Sequence, residues 1–457
     1  MNTPTDPRNI IDQSGMTPAM MIVVAITVFL NAMDGFDVLA ISFAAPGISQ
    51  EWGISQTALG FVLAAELVGM AFGSILLGGV ADKYGRRTTL LGCLIVMSAG
   101  MFLATTSSSA NILMIWRVLT GLGIGGMLSC TNATVAEFSN TKWRSMCISL
   151  MVIGYPLGGV IGGEIAQKYL LVNFEWRSVF YFGSIVTGFL IPVVYFLVPE
   201  SVHWLTRKQP ENALDKINHS LTKLGHAVIS VLPDVHEDEK KKSVGDIFSK
   251  SLAMITILVT AAYFLHITTF YFILKWTPKI VADMGFEAAA AGGVLKWANI
   301  GGVLGGITFG VLTARFGLKP LTIGILFLTT VGVAVFGRTP EDLGRMELLA
   351  AFAGFFGNAG VSGLYSIVAY SFPTHVRATG TGFVIGVGRA GAVLSPILAG
   401  VMFDAGSTLP TVALVMGSGS AMAAIVLIFL KLNDDRPADT PVTDHVNAEG
   451  MAPAASG

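Results

Sequence analysis

GGVADKYGRR fills positions 78–87 of this 457-residue chain, and GVLTARFGLK fills positions 310–319. The second stretch begins 232 positions after the first (310 against 78). PGISQEWG at 46–53 and PKIVADMG at 278–285 share that offset, and VAEFSNTKWR at 135–144 answers to VAYSFPTHVR at 368–377 one position later. Three matches in the same order mark an internal duplication. Each copy of the Gly- and Arg-bearing stretch joins two long apolar runs, so the repeated unit is a set of membrane spans linked by short loops.

The composition agrees. The chain is 53% hydrophobic and 12% charged, where a soluble domain has about 25% charged residues. Its mean hydropathy is +0.68. A net charge of -1 gives no case for nucleic-acid binding. The 53 glycines suit close approach of helices in a bilayer. Cys93, Cys130 and Cys147 lie in or beside apolar runs without a CxxC or disulfide pattern, and read as small core residues. The sequence has no P-loop, zinc-ligand spacing or nucleophile elbow, so no enzyme activity, cofactor or metal is expected.

A span needs about 20 mostly apolar residues. Twelve runs qualify: roughly 18–46, 55–79, 88–107, 111–138, 145–169, 176–198, 251–278, 289–312, 319–337, 346–372, 379–403 and 410–431. The run at 18–46 is too long for a signal-peptide core and lacks a clear cleavage site, so it is read as a retained span. The expected organisation is a cytoplasmic tail (1–17), a six-helix bundle (18–198), a polar central loop (199–250) carrying HEDEKKK, a second six-helix bundle (251–432) and a disordered tail (433–457). Lys and Arg concentrate in the loops on the side of both termini, which makes those loops and termini cytoplasmic. The fold expected is therefore all-α, with two bundles related by an axis along the membrane normal and a cavity between them near the midplane.

The spacing Gly78, Asp82, Gly85, Arg86, Arg87 resembles the signature loop of the major facilitator superfamily, and the resemblance covers nearly the whole chain. It implies the major facilitator fold, with a conformational latch at these residues and with Glu137, Arg144 and Arg377 as gate or packing groups beside it. The second copy carries Ala314 in place of the acid and Leu318 in place of one arginine, a departure that weakens a latch on that side. Arg117, ahead of Gly121, Gly123, Gly125 and Gly126, has two readings: an arginine reaching for the outer interface, or, as the resemblance implies, a buried group that tunes a proton site. In GYPLGGVIGG (154–163), Tyr155 stands where facilitator antiporters have the glycine before proline, which argues against export.

NAMDGFDVL, at 31–39, puts Asp34 and Asp37 inside an apolar span. Charges there are costly and tend to be functional. Spaced three residues apart, they project from nearly one helix face. Two like charges in a poorly hydrated place do not both stay ionised, so one carries a proton near neutral pH and the pair titrates as a unit. The duplication sets His266 in the register of Asp34 and Thr269 in that of Asp37. Setting aside residues at the very ends of the spans (Glu137, Lys168, Arg177, Lys319, Glu347, Lys431), the first half holds Asp34, Asp37, Glu66, Arg117 and Glu164, whereas the second holds only the basic groups His266, Lys275, Lys296 and Arg389.

Arg389, in GVGRAG (386–391), suits bidentate binding of a carboxylate, with His266 as its helper. Lys275 and Lys296 are placed nearer the outer ends of their spans, as snorkelling or anion-guiding groups. Glu66 and Glu164 read equally well as a proton relay or as satisfied polar packing. Tyr155, Phe270, Tyr271, Phe355, Phe356, Asn358 and Tyr365 are candidate cavity walls, since aromatic rings stack on a flat substrate.

The stretch DGFD followed by AISFAAP (34–46 with intervening VL) is similar to the first-span pattern of the aromatic acid/proton symporter family. That resemblance implies import of a benzoate-, hydroxybenzoate- or hydroxycinnamate-type acid with protons across a bacterial cytoplasmic membrane. It carries the acid pair onto Asp34 and Asp37 and the basic group onto Arg389. Import of a muconate-like diacid and proton-driven export remain as alternatives. The expected partners are the acid, protons and the lipid bilayer, with the carrier monomeric.

Overall fold

The computed structural model of the chain describes residues 6–233, 244–249, 252–373 and 376–430. The expected tail 433–457 and the HEDEKKK run of the central loop lie outside the described residues. Among those described, twelve helices are long and apolar enough to cross a membrane, and no strand occurs. Spans 1–6 are Pro18–Trp52, Gln56–Tyr84, Arg86–Thr105, Ala110–Glu137, Arg144–Asn173 and Arg177–Leu197. Spans 7–12 are Ala253–Asp283, Ala288–Phe316, Leu318–Phe336, Leu343–Ser371, Arg377–Asp404 and Leu409–Phe429.

The helix ends follow local chemistry. Thr17 caps span 1 by accepting from the Met20 amide at 3.2 Å, and Pro18 occupies the first turn, where its missing N–H is no loss. The span continues six residues past its expected end, through Pro46 to Trp52, and stops at Gly53 in a left-handed conformation (φ 55°). Span 7 likewise runs through Pro278, in the equivalent register, as far as Asp283. An internal proline removes one backbone hydrogen bond, and the packed surroundings of these helices hold them helical across it.

The duplication reappears as packing. Spans 1 and 5, 2 and 4, 3 and 4, and 3 and 6 pack in the first half; spans 7 and 11, 8 and 10, 9 and 10, and 9 and 12 repeat those pairings in the second. Spans 1 and 5 touch backbone to backbone, because a Cβ on Gly158 would overlap the Ala32 carbonyl and one on Gly35 the Tyr155 carbonyl. Between the bundles, span 2 meets span 11, span 5 meets span 8 and span 1 meets span 7.

Call the end bearing the 78–87 loop the loop end, and the other the far end. The far halves tie the two bundles together. Asp404 accepts from the amides of Gln56 (3.0 Å) and Thr57 (2.7 Å), and Lys296 donates to Glu164 (2.7 Å) and Gln167 (3.1 Å).

Candidate functional site

Asp34 and Asp37 are both fully buried on span 1, and none of their four carboxylate oxygens has a hydrogen-bond partner. Asp37 turns into the first bundle, beside Thr187 and against Gly183 of span 6. Asp34 lies within electrostatic range of Arg389 on the second bundle. Arg389 is half-buried, and its Nη1 is a buried donor with no partner. Around it stand Tyr155, whose buried hydroxyl is also unpartnered, and Tyr263 and Tyr271 of span 7. The Tyr365 hydroxyl lies 3.3 Å from that of Tyr263, with the Tyr365 ring partly exposed. Native interiors leave few buried polar atoms unpaired. Here acids on one bundle and a guanidinium on the other leave hydrogen-bonding capacity open.

Arg117 is fully buried, so the interfacial reading of it does not hold. It pairs with Glu66, its Nη2 donates to the Asp37 carbonyl at 2.9 Å, and its guanidinium lies 5.2 Å from the Phe180 ring centroid. Glu66 is therefore paired, and it sits in the same cluster as the two aspartates. Lys275 does not snorkel: it is fully buried, 3.7 Å from Glu66.

Three expected site residues stand elsewhere. His266 lies inside the second bundle with both ring nitrogens engaged, Nδ1 with Ser420 Oγ at 2.8 Å and Nε2 with the Gly357 carbonyl at 2.9 Å, which leaves it no free group for a substrate. Glu164 lies at the far end, paired with Lys168 and Lys296, and is thus removed from the aspartate pair. Asn358 spends its amide on the Gly302 carbonyl at 2.7 Å, joining spans 10 and 8.

At the loop end the first-bundle residues form one network. Arg86 donates to Asp82 (2.9 Å) and to Glu137 (3.1 and 3.2 Å). Gly85 has φ 103°, and any Cβ there would strike the Glu200 carboxylate, so glycine is needed twice over. Glu200 caps span 3 by accepting from the amides of Arg86 (2.8 Å) and Arg87 (3.2 Å). Arg87 donates to the Tyr195 carbonyl at 2.6 Å. Gly78 has room for a methyl group. Arg144 pairs with Asp12 of the N-terminal helix Pro7–Gln13. In the second bundle, Arg377 donates to the Phe372 carbonyl at 3.4 Å.

Glu200 and the short helix Val202–Lys208 were not foreseen from the sequence as parts of this network. Trp204 donates to the Asp82 carbonyl at 2.9 Å and Arg207 to the Asp82 carboxylate at 3.2 Å. The available signal was Ser201, which caps that helix through the Trp204 amide at 3.1 Å. His203 on the same helix lies 3.6 Å from Asp12. Burial lowers its pKa below the ordinary 6.5, against the pull of Glu137 and Asp12. The folded state then binds fewer protons than the unfolded one as pH falls through about 6.5, so this group destabilises the fold on acidification. The melting temperature of the wild type is expected to fall relative to His203→Gln between pH 7.5 and 5.5; a constant difference would contradict the assignment.

The sequence model of the Major Facilitator Superfamily matches residues 24–340 and 278–453. The chain belongs to that superfamily. It is 29% identical to the 4-hydroxybenzoate transporter PcaK of Pseudomonas aeruginosa, covering 93% of this chain and 98% of that one. It is 30% identical to PcaK of Pseudomonas putida (85% and 87% covered) and 28% identical to the benzoate transport protein of Acinetobacter baylyi (86% and 85%). Among solved structures, the inward-open xylose transporter XylE of Escherichia coli superposes with a TM-score of 0.70 at 17% identity, covering 90% and 96% of the two chains. A D-xylose-proton symporter superposes at 0.69 and 16% identity, covering 89% and 97%. The protein is a transporter and not an enzyme, a multi-pass protein of the bacterial inner membrane.

Proposed function

We propose that this carrier imports a small aromatic monocarboxylate together with protons, by alternating access, with the loop end in the cytoplasm. The observation that carries the reading is the unpartnered, buried Nη1 of Arg389, set among tyrosines and within electrostatic range of Asp34 on the other bundle. The relatives named 4-hydroxybenzoate and benzoate transporters support the substrate class. A guanidinium offers a planar fork to a carboxylate. Tyr155, Tyr263 and Tyr271 supply ring faces and hydroxyls for an aromatic body with a polar edge.

In the reading proposed here, Asp34 and Asp37 take up protons from the outside, the substrate anion then neutralises Arg389, and the bundles rock with fewer uncompensated charges in the membrane. On release inside, the aspartates lose their protons and the charge attraction between the bundles returns. Arg117 holds Glu66 and the Asp37 carbonyl, fixing the position of span 1 beside the proton site.

Arg389→Ala tests this. Truncating one partner of a buried charge pair costs about 2–5 kcal/mol, so binding of 4-hydroxybenzoate to the purified carrier is expected to weaken at least about thirty-fold. Arg389→Lys keeps the charge, loses the fork, and falls between. Unchanged affinity in Arg389→Ala would end the carboxylate assignment. Uptake of labelled aromatic and aliphatic acids at two external pH values tests the substrate class and the coupling.

A further inference from the structure

Lys275 is fully buried on span 7 of the second bundle, yet its polar partners belong to the first. Its Nζ donates to the Val38 carbonyl at 2.5 Å and lies 3.7 Å from Glu66 Oε2. Arg117 reaches the same carboxylate and the neighbouring Asp37 carbonyl. Cations from two bundles thus converge on one acid and on successive carbonyls of span 1. Span 1 is helical throughout this stretch, so Lys275 uses a second lone pair of the Val38 oxygen and does not repair a broken backbone bond.

When two rigid bundles part at the far end, Lys275 loses both partners in one movement, whereas Glu66 keeps Arg117. A lone ammonium at that depth is costly and recruits water or an anion. Lys275 lies one helical turn beyond Tyr271 toward the far end, about 6 Å along the axis, and Tyr271 lies within electrostatic range of Arg389. A carboxylate entering from the far end therefore meets Lys275 before Arg389.

We propose that Lys275 is a second carboxylate-binding residue, engaged only when the far end is open. It takes the substrate's carboxylate from the outer vestibule and surrenders it to Arg389 as it returns to Glu66 and Val38, closing that end. The same lysine therefore receives the anion and closes the gate behind it. The inference rests on the carboxylate-import reading.

The test uses the full chain in proteoliposomes with Lys275→Met and Lys275→Arg. Spin labels at Asn173→Cys and Glu341→Cys, exposed far-end positions in opposite bundles, report far-end opening; the native cysteines are all buried. Lys275→Met is expected to shift the substrate-free distance distribution toward the longer, far-open separation. It is also expected to raise the KM for 4-hydroxybenzoate offered from the far side at least about tenfold, and to weaken affinity from the loop side by less, only by the factor through which the loop-open population falls. Lys275→Arg recovers the far-side KM. Should Lys275→Met not fold, Lys275→Gln, which keeps a donor toward Val38, is read in the same way. An unchanged far-side KM, or an equal loss from both sides, overturns the proposal. Absence of any aromatic-acid uptake by the wild type overturns the import reading itself, and the two failures are distinct.

Discussion

Asp37→Asn, alone or together with Asp34→Asn, is expected to abolish accumulation of substrate against a gradient while exchange of labelled for unlabelled substrate persists. Both aspartates are fully buried, and their carboxylate oxygens accept no protein hydrogen bond, so replacing either by asparagine breaks none. Asparagine keeps the shape of a protonated aspartate and cannot release the proton. A carrier so locked still rocks with substrate, yet no longer feels the pH gradient. One pH unit is worth about 1.36 kcal/mol per proton, equivalent to about tenfold accumulation. Under an imposed step of one unit, acid on the far side, the wild type should approach that ratio or exceed it, and the variant should settle near equality. Wild-type accumulation by Asp37→Asn, with Asp34 intact or replaced, would remove the pair from proton coupling.

Arg117→Leu is expected to destabilise the folded carrier and abolish transport. The guanidinium is fully buried against Glu66, and breaking such a pair costs about 3–5 kcal/mol because an ion is left in a poorly solvating interior. Lys275 stands 3.7 Å from the same carboxylate and offsets part of the loss, so the lower part of that range applies. The decisive comparison is with the double variant Arg117→Leu/Glu66→Gln, in which no carboxylate is orphaned. Its melting temperature should lie above that of Arg117→Leu alone, a non-additivity expected of partners in contact. Equal melting temperatures for the wild type and Arg117→Leu would show that the pair carries no stability.

The twelve spans were legible because a bilayer imposes its length on each segment locally, and the duplication because matched glycines and prolines recur at one offset. The lysine at 275 shows where such reading stops. With span 7 ended at Pro278 it sits near an interface; with the helix carried through Pro278 to Asp283, it lies more than a turn deeper. His266 shows another stop, since its register with Asp34 is real but Ser420 and Gly357, from spans 12 and 10, take both its nitrogens.

The sequence by itself determined the membrane spans, the two related halves and the chemical asymmetry between them, acids outnumbering bases in the first and bases alone deep in the spans of the second. Each of these is a property of segments and their order. Only the tertiary structure decided which charges meet: Arg117 with Glu66, Lys275 across the bundle boundary onto span 1, Glu164 at the far end, and Arg389 left with an open donor. Those pairings depend on how helices distant in the chain rotate and close on one another, and a buried charge finds its partner through that packing.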